Sequence, residues 1–288
     1  MSQSGKAAEL DPRFHAYRAD LAAAHLEGQV AAPCFEKGVR RQVVTPSACL
    51  RREPRHDAPL ATEALMGETL VLYDENEGWA WVQLERDDYV GYVPYEALGM
   101  TLRAPTHRVT ALRAFVFPGP DIKLPPLAAL SLNCALSVSG EREGFLELET
   151  GGMVHARHAA EWHQTADDFV AVATRFLGVP YLWGGRTAQG IDCSGLVQIA
   201  LEATGSPAPR DSDVQAAQLG EPLGSRFDAS KSARGDLVFW QGHVGIMADA
   251  GMLLHASAHH MATVVEPVDD ALARISQWGA EVNSVRRL

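Results

Sequence analysis

Long apolar runs are missing from this chain of 288 residues. No segment approaches the ~18 apolar residues of a membrane span. The opening stretch, MSQSGKAAELDPRFHAYRAD, has no apolar core of the secretory kind, so a cytoplasmic location is expected. Cysteine is scarce too. The four thiols, Cys34, Cys49, Cys134 and Cys193, are far apart and form no CxxC pair, which favours free thiols in a reducing compartment. Positive charge is in deficit: 25 Lys and Arg against 36 Asp and Glu give a net charge of −11. That argues against bulk attraction to nucleic acid or to an anionic membrane.

What is present is ordinary soluble composition, 47% hydrophobic and 21% charged, at a length that suits about two domains or three small ones. Residues 1–40 are Ala-rich, with a partly helical pattern from Tyr17 to Leu26, and are expected to form an arm packed on the rest. From residue 41 short alternating runs separated by tight turns indicate small all-β barrels. Val43-Val44-Thr45 is echoed by Val109-Thr110, Ala64-Leu65 by Ala129-Leu130, Gly78-Trp79 by Gly144-Phe145, and Tyr89-Val90 by Met153-Val154. This internal repeat predicts two barrels, residues 41–100 and 104–160. From residue 165 to 288 the texture is helix followed by strands, an α+β layout. Thr165 to Asp168 reads as a capping box for a helix from Asp167 to Leu177, stopped by Gly178. Cys49 and Cys134 read as core, and Cys34 as semi-buried.

Cys193 is the thiol with chemically suggestive neighbours. It opens a helical run containing Leu196, Val197, Ile199, Ala200 and Ala203. Free N–H groups and the positive end of the helix dipole favour thiolate there. Gly184, Gly185, Gly190 and Gly195 are expected to let a substrate backbone come close. A buried structural cysteine fits the motif equally well until a base is found. His243 begins one apolar strand and His255 ends the next. Across an antiparallel pair with an odd-length turn they share a face, directly opposite or diagonal. Base and orienter are the two parts a nucleophilic cysteine needs. A metal at His255, His259 and His260 is disfavoured, because no carboxylate or second thiol lies nearby at a closed-site spacing. No metal or other cofactor is expected.

Asp192-Cys193-Ser194-Gly195, His243-Val244-Gly245-Ile246 and Leu253-Leu254-His255-Ala256, in that order, resemble the NlpC/p60 papain-like cysteine peptidases. Pro180 to Gly185 and Arg234 to Trp240 resemble that family as well, so the likeness covers about residues 165–280. The barrels resemble bacterial SH3-like domains, on texture and on Gly91-Tyr92-Val93-Pro94. The resemblance implies a papain-like catalytic domain behind two SH3-like barrels. It implies Cys193 as nucleophile, His243 as general base, His255 as third polar residue, and Tyr181 with the Cys193 N–H as oxyanion donors. The implied substrate is a small murein peptide, cut between γ-D-glutamate and a diamino acid. In the SH3-bearing subgroup the first barrel closes the groove and reads the free amine of an N-terminal L-Ala. Tyr89, Glu63 and Glu68 are the candidates for that task. The second barrel has Met153, Ala128 and Asn133 in their places. Asp192, Ser194, Asp211 and Ser212 match positions that contact L-Ala-γ-D-Glu in similar enzymes. Trp183 is expected to wall the pocket, and charge logic alone offers Arg210 to the D-Glu carboxylate. A cytoplasmic member would act in recycling of cell-wall peptides. Two competing functions remain at this point: a thiol amidase or acyltransferase on another small amide, and a non-enzymatic SH3-like peptide binder.

Overall fold

A computed structural model describes residues 10–288. Three β-rich units and one short arm surround a central helix. Strands Val39–Val43, Ser47–Arg51, Leu60–Leu65, Thr69–Asn76, Trp79–Leu84, Val90–Pro94 and Leu98–Gly99 form the first barrel. Its interior is Val43, Leu50, Leu70, Val82, Leu84 and Val93, supplied by the alternation visible in the sequence.

The second barrel repeats the first at the level of hydrogen bonds. Gly67 N–H donates to Val43 C=O, and Asn133 N–H donates to Val109 C=O. Tyr95 N–H donates to Gly78 C=O, and Ala156 N–H to Gly144 C=O. Left-handed residues recur at Glu77-Gly78 and Glu143-Gly144, where a tight hairpin needs positive φ. These bonds equate Gly67 with Asn133, so Glu68 corresponds to Cys134 and not, as the sequence echo implies, to Asn133.

The arm is not the expected helix. Leu21–Ala23 is a strand paired in parallel with Cys34–Glu36, followed by a single 3-10 turn, Ala24–Leu26. Its alanines serve close packing: Ala16, Ala22 and Ala23 are fully buried. Arg18 lies over the Trp81 ring at 4.5 Å and pairs with Asp74 at 2.7 Å, which fastens the arm to the first barrel. Expectations that fall on residues 1–9 lie outside the described residues.

In the third unit, helix α1 (Phe169–Thr174) is shorter than expected and is capped by Asp168, which accepts from the N–H groups of Val170 and Ala171. Thr165 lies too far upstream to act as the cap. Helix α2 (Cys193–Ala203) is apolar on nearly all sides, with Leu196, Val197, Ile199 and Ala200 buried. Each large side chain there contributes roughly 1.5–3 kcal/mol. One side of α2 meets a six-stranded antiparallel sheet and the other meets α1, and its apolar residues share one core with Leu65, Val109 and Leu136 of the two barrels. The sheet order is Glu221–Gly224, Val282–Arg287, Leu237–Trp240, His243–Met247, Met252–Ser257 and Ala262–Pro267. Helices α3 (Ser212–Gln218) and α4 (Val268–Ser276) flank it. All four thiols are free; Cys34 is exposed and Cys49 half-buried, so neither has the setting expected for it, whereas Cys134 is buried.

Candidate active site

Cys193 is the first residue of α2, and Asp192 is its N-cap, accepting from Gly195 N–H at 2.7 Å. The thiol is buried. That burial corrects the expectation of a thiolate made by the helix start alone. Desolvation, with the Asp192 charge adding to it, pushes the thiol up to about 12. The N–H groups of Val244 and Ser194 and the Arg210 guanidinium pull the other way without prevailing. Loss of the thiol proton therefore needs an acceptor alongside. Val244, whose N–H is turned to the sulfur, directly follows His243.

His243 and His255 meet on the sheet. Ile246 pairs with Leu254 and Met247 with Leu253. Continuing that register sets His255 across from Gly245 and His243 one diagonal step away, one of the two placements expected. Nε2 of His243 lies 2.7 Å from Nδ1 of His255. Burial presses His243 down to about 3 and lowers His255 as well, so both rings rest neutral. Beyond His255 stands Glu266, absent from the sequence expectations. Its Oε1 is 2.7 Å from Nε2 of His255, and Arg274 of α4 forks onto both its oxygens. Burial opposes the Glu266 charge, but the bonds from Arg274 and His255 outweigh it and hold the carboxyl near 2. No local motif announces Glu266. Its signal is strand periodicity next to His255, with a cation one helix later. A carboxylate thus does lie beside His255 and His260, contrary to expectation, with the guanidinium already forked onto it.

Tyr181 is half-buried, and its phenol is pushed up by burial and by the charges of Cys193 and Asp192. It therefore keeps its proton as a donor. Trp183 is exposed at 64%, so its ring borders open space and is not packed. The nearby glycines serve close packing within the protein and not the approach of a substrate. A Cβ on Gly195 would fall 2.4 Å from Gly185 O, one on Gly185 the same distance from Gly190 O, and one on Gly184 would meet Leu60 of the first barrel.

The structure gives Asp192, Ser194 and Arg210 a different job from the one expected. Asp192 accepts from Gly184 N–H, Gly195 N–H and two nitrogens of Arg210. Arg210 also donates to Ser194 Oγ and to Thr62 Oγ1 of the first barrel. This filled, buried network stiffens the floor under Cys193. Glu68 is likewise engaged: Arg86 and Arg186 hold it, and both also hold Glu202 of α2. It belongs to an ion network that binds barrel to helix beside a cavity lined also by Arg108, Trp162 and Ser206, and its charge is already taken up by the two guanidinium groups. Glu63 accepts from Ser47 Oγ and from Arg186 N–H at the same seam. Tyr89 donates to Asp211 at 3.1 Å, and Arg13 of the arm pairs with Asp211 at 2.7 Å. Ser212 opens α3 beside them.

The NlpC/P60 family profile matches residues 178–280, and the profile described as the bacterial dipeptidyl-peptidase Sh3 domain matches residues 50–98. A protein of Bacillus subtilis (strain 168), named gamma-D-glutamyl-L-lysine dipeptidyl-peptidase, is 30% identical over 225 residues, 69% of this chain and 73% of its own length. The chain belongs to the NlpC/P60 family. Another relative of this NlpC/P60 protein, dipeptidyl-peptidase 6 of Lysinibacillus sphaericus, is 27% identical over 239 residues, 75% of this chain and 86% of its own. The crystal structure of an NlpC/P60 family protein from Bacillus cereus ATCC 10987 has the same fold, with a TM-score of 0.72 at 21% identity over 86% of this chain and 99% of that one. As an NlpC/P60 member with relatives named as peptidases, the protein is a cysteine peptidase with a papain-like domain behind an SH3-like region.

Proposed function

We propose that this peptidase hydrolyses the γ-D-glutamyl to diamino acid bond of murein stem peptides that carry a free N-terminal L-Ala, in the recycling of cell-wall peptides in the cytoplasm. The observation that carries the reading is the seam at Tyr89. A residue of the first barrel is bonded to Asp211 of the catalytic unit, so a barrel side chain stands where α3 begins. A wall there favours short peptides with a free end over a continuous polymer. The relatives' names support the reading: gamma-D-glutamyl-L-lysine dipeptidyl-peptidase names the bond, and dipeptidyl-peptidase 6 the release of a dipeptide.

In this reading Nδ1 of His243 takes the Cys193 proton, and the sulfur attacks the γ-carbonyl carbon. The oxyanion accepts from the Cys193 N–H and the Tyr181 hydroxyl; such donors contribute about 3–4 kcal/mol of barrier lowering. The imidazolium returns its proton to the leaving amine of the diamino acid, and a thioester remains. Water gives a proton to His243 and attacks the thioester. L-Ala-γ-D-Glu leaves, and the thiol is restored. Tyr89 and Asp211 define the amine end, Ser212 adjoins it, and Trp183 borders the groove.

Mass spectrometry of products from defined tri- and tetrapeptides, with free and acetylated amino ends, tests the reading. Release of L-Ala-γ-D-Glu from the free peptides is expected, with loss of turnover in Cys193→Ala. Equal rates on both forms would remove the amine recognition, and full activity of Cys193→Ala would remove the thiol mechanism.

A further inference from the structure

Three side chains cross three neighbouring strands on one face: His243, His255 and Glu266. His255 pairs in register with Val264, and Leu253 with Glu266. Glu266 is therefore one diagonal step from His255, the same step that separates His255 from His243. The final group, Arg274, comes from α4, which follows the Glu266 strand directly. We propose that Glu266, clamped by Arg274, is a positioning residue that fixes the tautomers of both imidazoles and thereby makes Nδ1 of His243 the basic atom. This rests on reading Cys193 and His243 as the catalytic pair.

The argument is one of donor and acceptor capacity. An ionised carboxylate only accepts, so Nε2 of His255, 2.7 Å away, carries a hydrogen. Neutral imidazole has a single N–H, so Nδ1 of His255 is an acceptor. Nε2 of His243, 2.7 Å from it, must then be the donor. The lone pair of His243 is left on Nδ1, which has no partner among the described residues. Without Glu266 the buried His255 ring can carry its hydrogen on either nitrogen, and the order is lost. When His243 gains the thiol proton, the Glu266 charge also stabilises the imidazolium through His255. Arg274 keeps Glu266 ionised and oriented, because a bidentate fork holds a carboxylate in one plane. The other charged or titratable groups facing this set are His260, 3.5 Å from Glu266, and Asp270, which bears on Arg274 from within α4.

The test uses the full chain and needs no peptide substrate. Alkylation of Cys193 by iodoacetamide is followed against pH by mass spectrometry of the fragment containing it, which separates it from exposed Cys34. Glu266→Ala is expected to lower the rate near neutral pH at least about tenfold, the scale at which a second partner of a working imidazole acts in metal sites. Glu266→Gln, which keeps an acceptor but no charge, should fall between. In a His255→Asn background, where the amide can hold His243 by itself, Glu266→Gln should add nothing. A wild-type pH profile in both Glu266 variants, or an undiminished Glu266→Gln effect in the His255→Asn background, would overturn the assignment and leave the fork as an anchor for α4. His243→Ala is the separate control: a profile unchanged by it overturns the catalytic pair itself. Should Glu266→Ala not fold, nitrogen-15 spectra of wild-type imidazoles decide. Hydrogen on Nε2 of both rings supports the proposal, and hydrogen on Nδ1 of His243 ends it.

Discussion

The hydroxyl of Tyr89 lies 3.1 Å from Asp211, a contact between residues 122 positions apart that joins the first barrel to the catalytic unit. The arm reinforces it twice. Phe14 packs edge-on against the Tyr89 ring at 5.5 Å, and Arg13 pairs with Asp211. Burial and the Asp211 charge push the phenol up, so Tyr89 stays a donor. Three segments that are remote in the chain thus meet at Tyr89.

Tyr89→Phe removes one hydrogen bond and little volume. Such a bond is worth about 0.5–1.5 kcal/mol net, or roughly a two- to tenfold effect. The expected outcome is a fall of that size in the ratio of kcat/KM for free over N-acetylated peptide, together with a drop in Tm of at most a few degrees from the lost bond. A ratio equal to wild type would separate Tyr89 from amine recognition.

Acid should loosen the fold through His243 and Glu266. The half-buried His243 ring is pushed down to about 3 from an ordinary 6.5, because loss of water around it disfavours its charge. Below pH 6.5 the unfolded chain therefore binds the proton that the folded chain refuses. Stability from this group is complete above 6.5 and declines as pH falls towards 3. Glu266 is depressed from 4.5 to about 2 and adds its own loss below 4.5. Urea midpoints should fall as pH is lowered from neutrality, and His243→Gln should flatten the part between 6.5 and 4.5. A wild-type midpoint that is constant over that interval would contradict the neutral resting ring.

Glu68 is predicted to matter for cohesion and not for selectivity. It sits between Arg86 and Arg186, and the Arg186 side chain is completely buried. Removing its charge leaves Arg86 and Arg186 to share Glu202, so the loss falls below the about 3–5 kcal/mol of a buried charge left wholly unpaired. Glu68→Gln should lower the unfolding midpoint while the free-to-acetylated rate ratio stays as in wild type. A changed ratio with unchanged stability would return Glu68 to the amine site.

The sequence made some of this legible and not the rest, for physical reasons. Turn chemistry and period-two alternation are local, so the barrels and the strands bearing His243 and His255 could be read directly. Side-chain pairing between units is not local. Arg186 to Glu68 and Arg210 to Asp192 depend on how the first barrel sits on α2, and no spacing in the chain encodes that. The arm misled because alanine favours helix intrinsically, whereas Ala16, Ala22 and Ala23 were needed for their small size against the barrel. The thiol misled because a helix start is visible in sequence and its desolvation is not.

Gly195 carries the last prediction. It lies in the first turn of α2, two residues after the thiol, and a Cβ there would stand 2.4 Å from the Gly185 carbonyl oxygen and 2.9 Å from the Asp192 carboxylate. Neither neighbour can yield easily: one is backbone, and the other is held by Arg210 and two N–H groups. In an unobstructed helix, alanine would be better than glycine by up to about 1 kcal/mol. Here overpacking, typically about 1–3 kcal/mol, should reverse that sign. Gly195→Ala is therefore expected to lower both the unfolding midpoint and the rate of Cys193 alkylation. Gly251→Ala is the matched control, since a Cβ at that position meets nothing within 4 Å, and it should leave both readings unchanged. A Gly195→Ala protein as stable as wild type would show that the packing of α2 against the 184–190 loop is looser than its geometry requires.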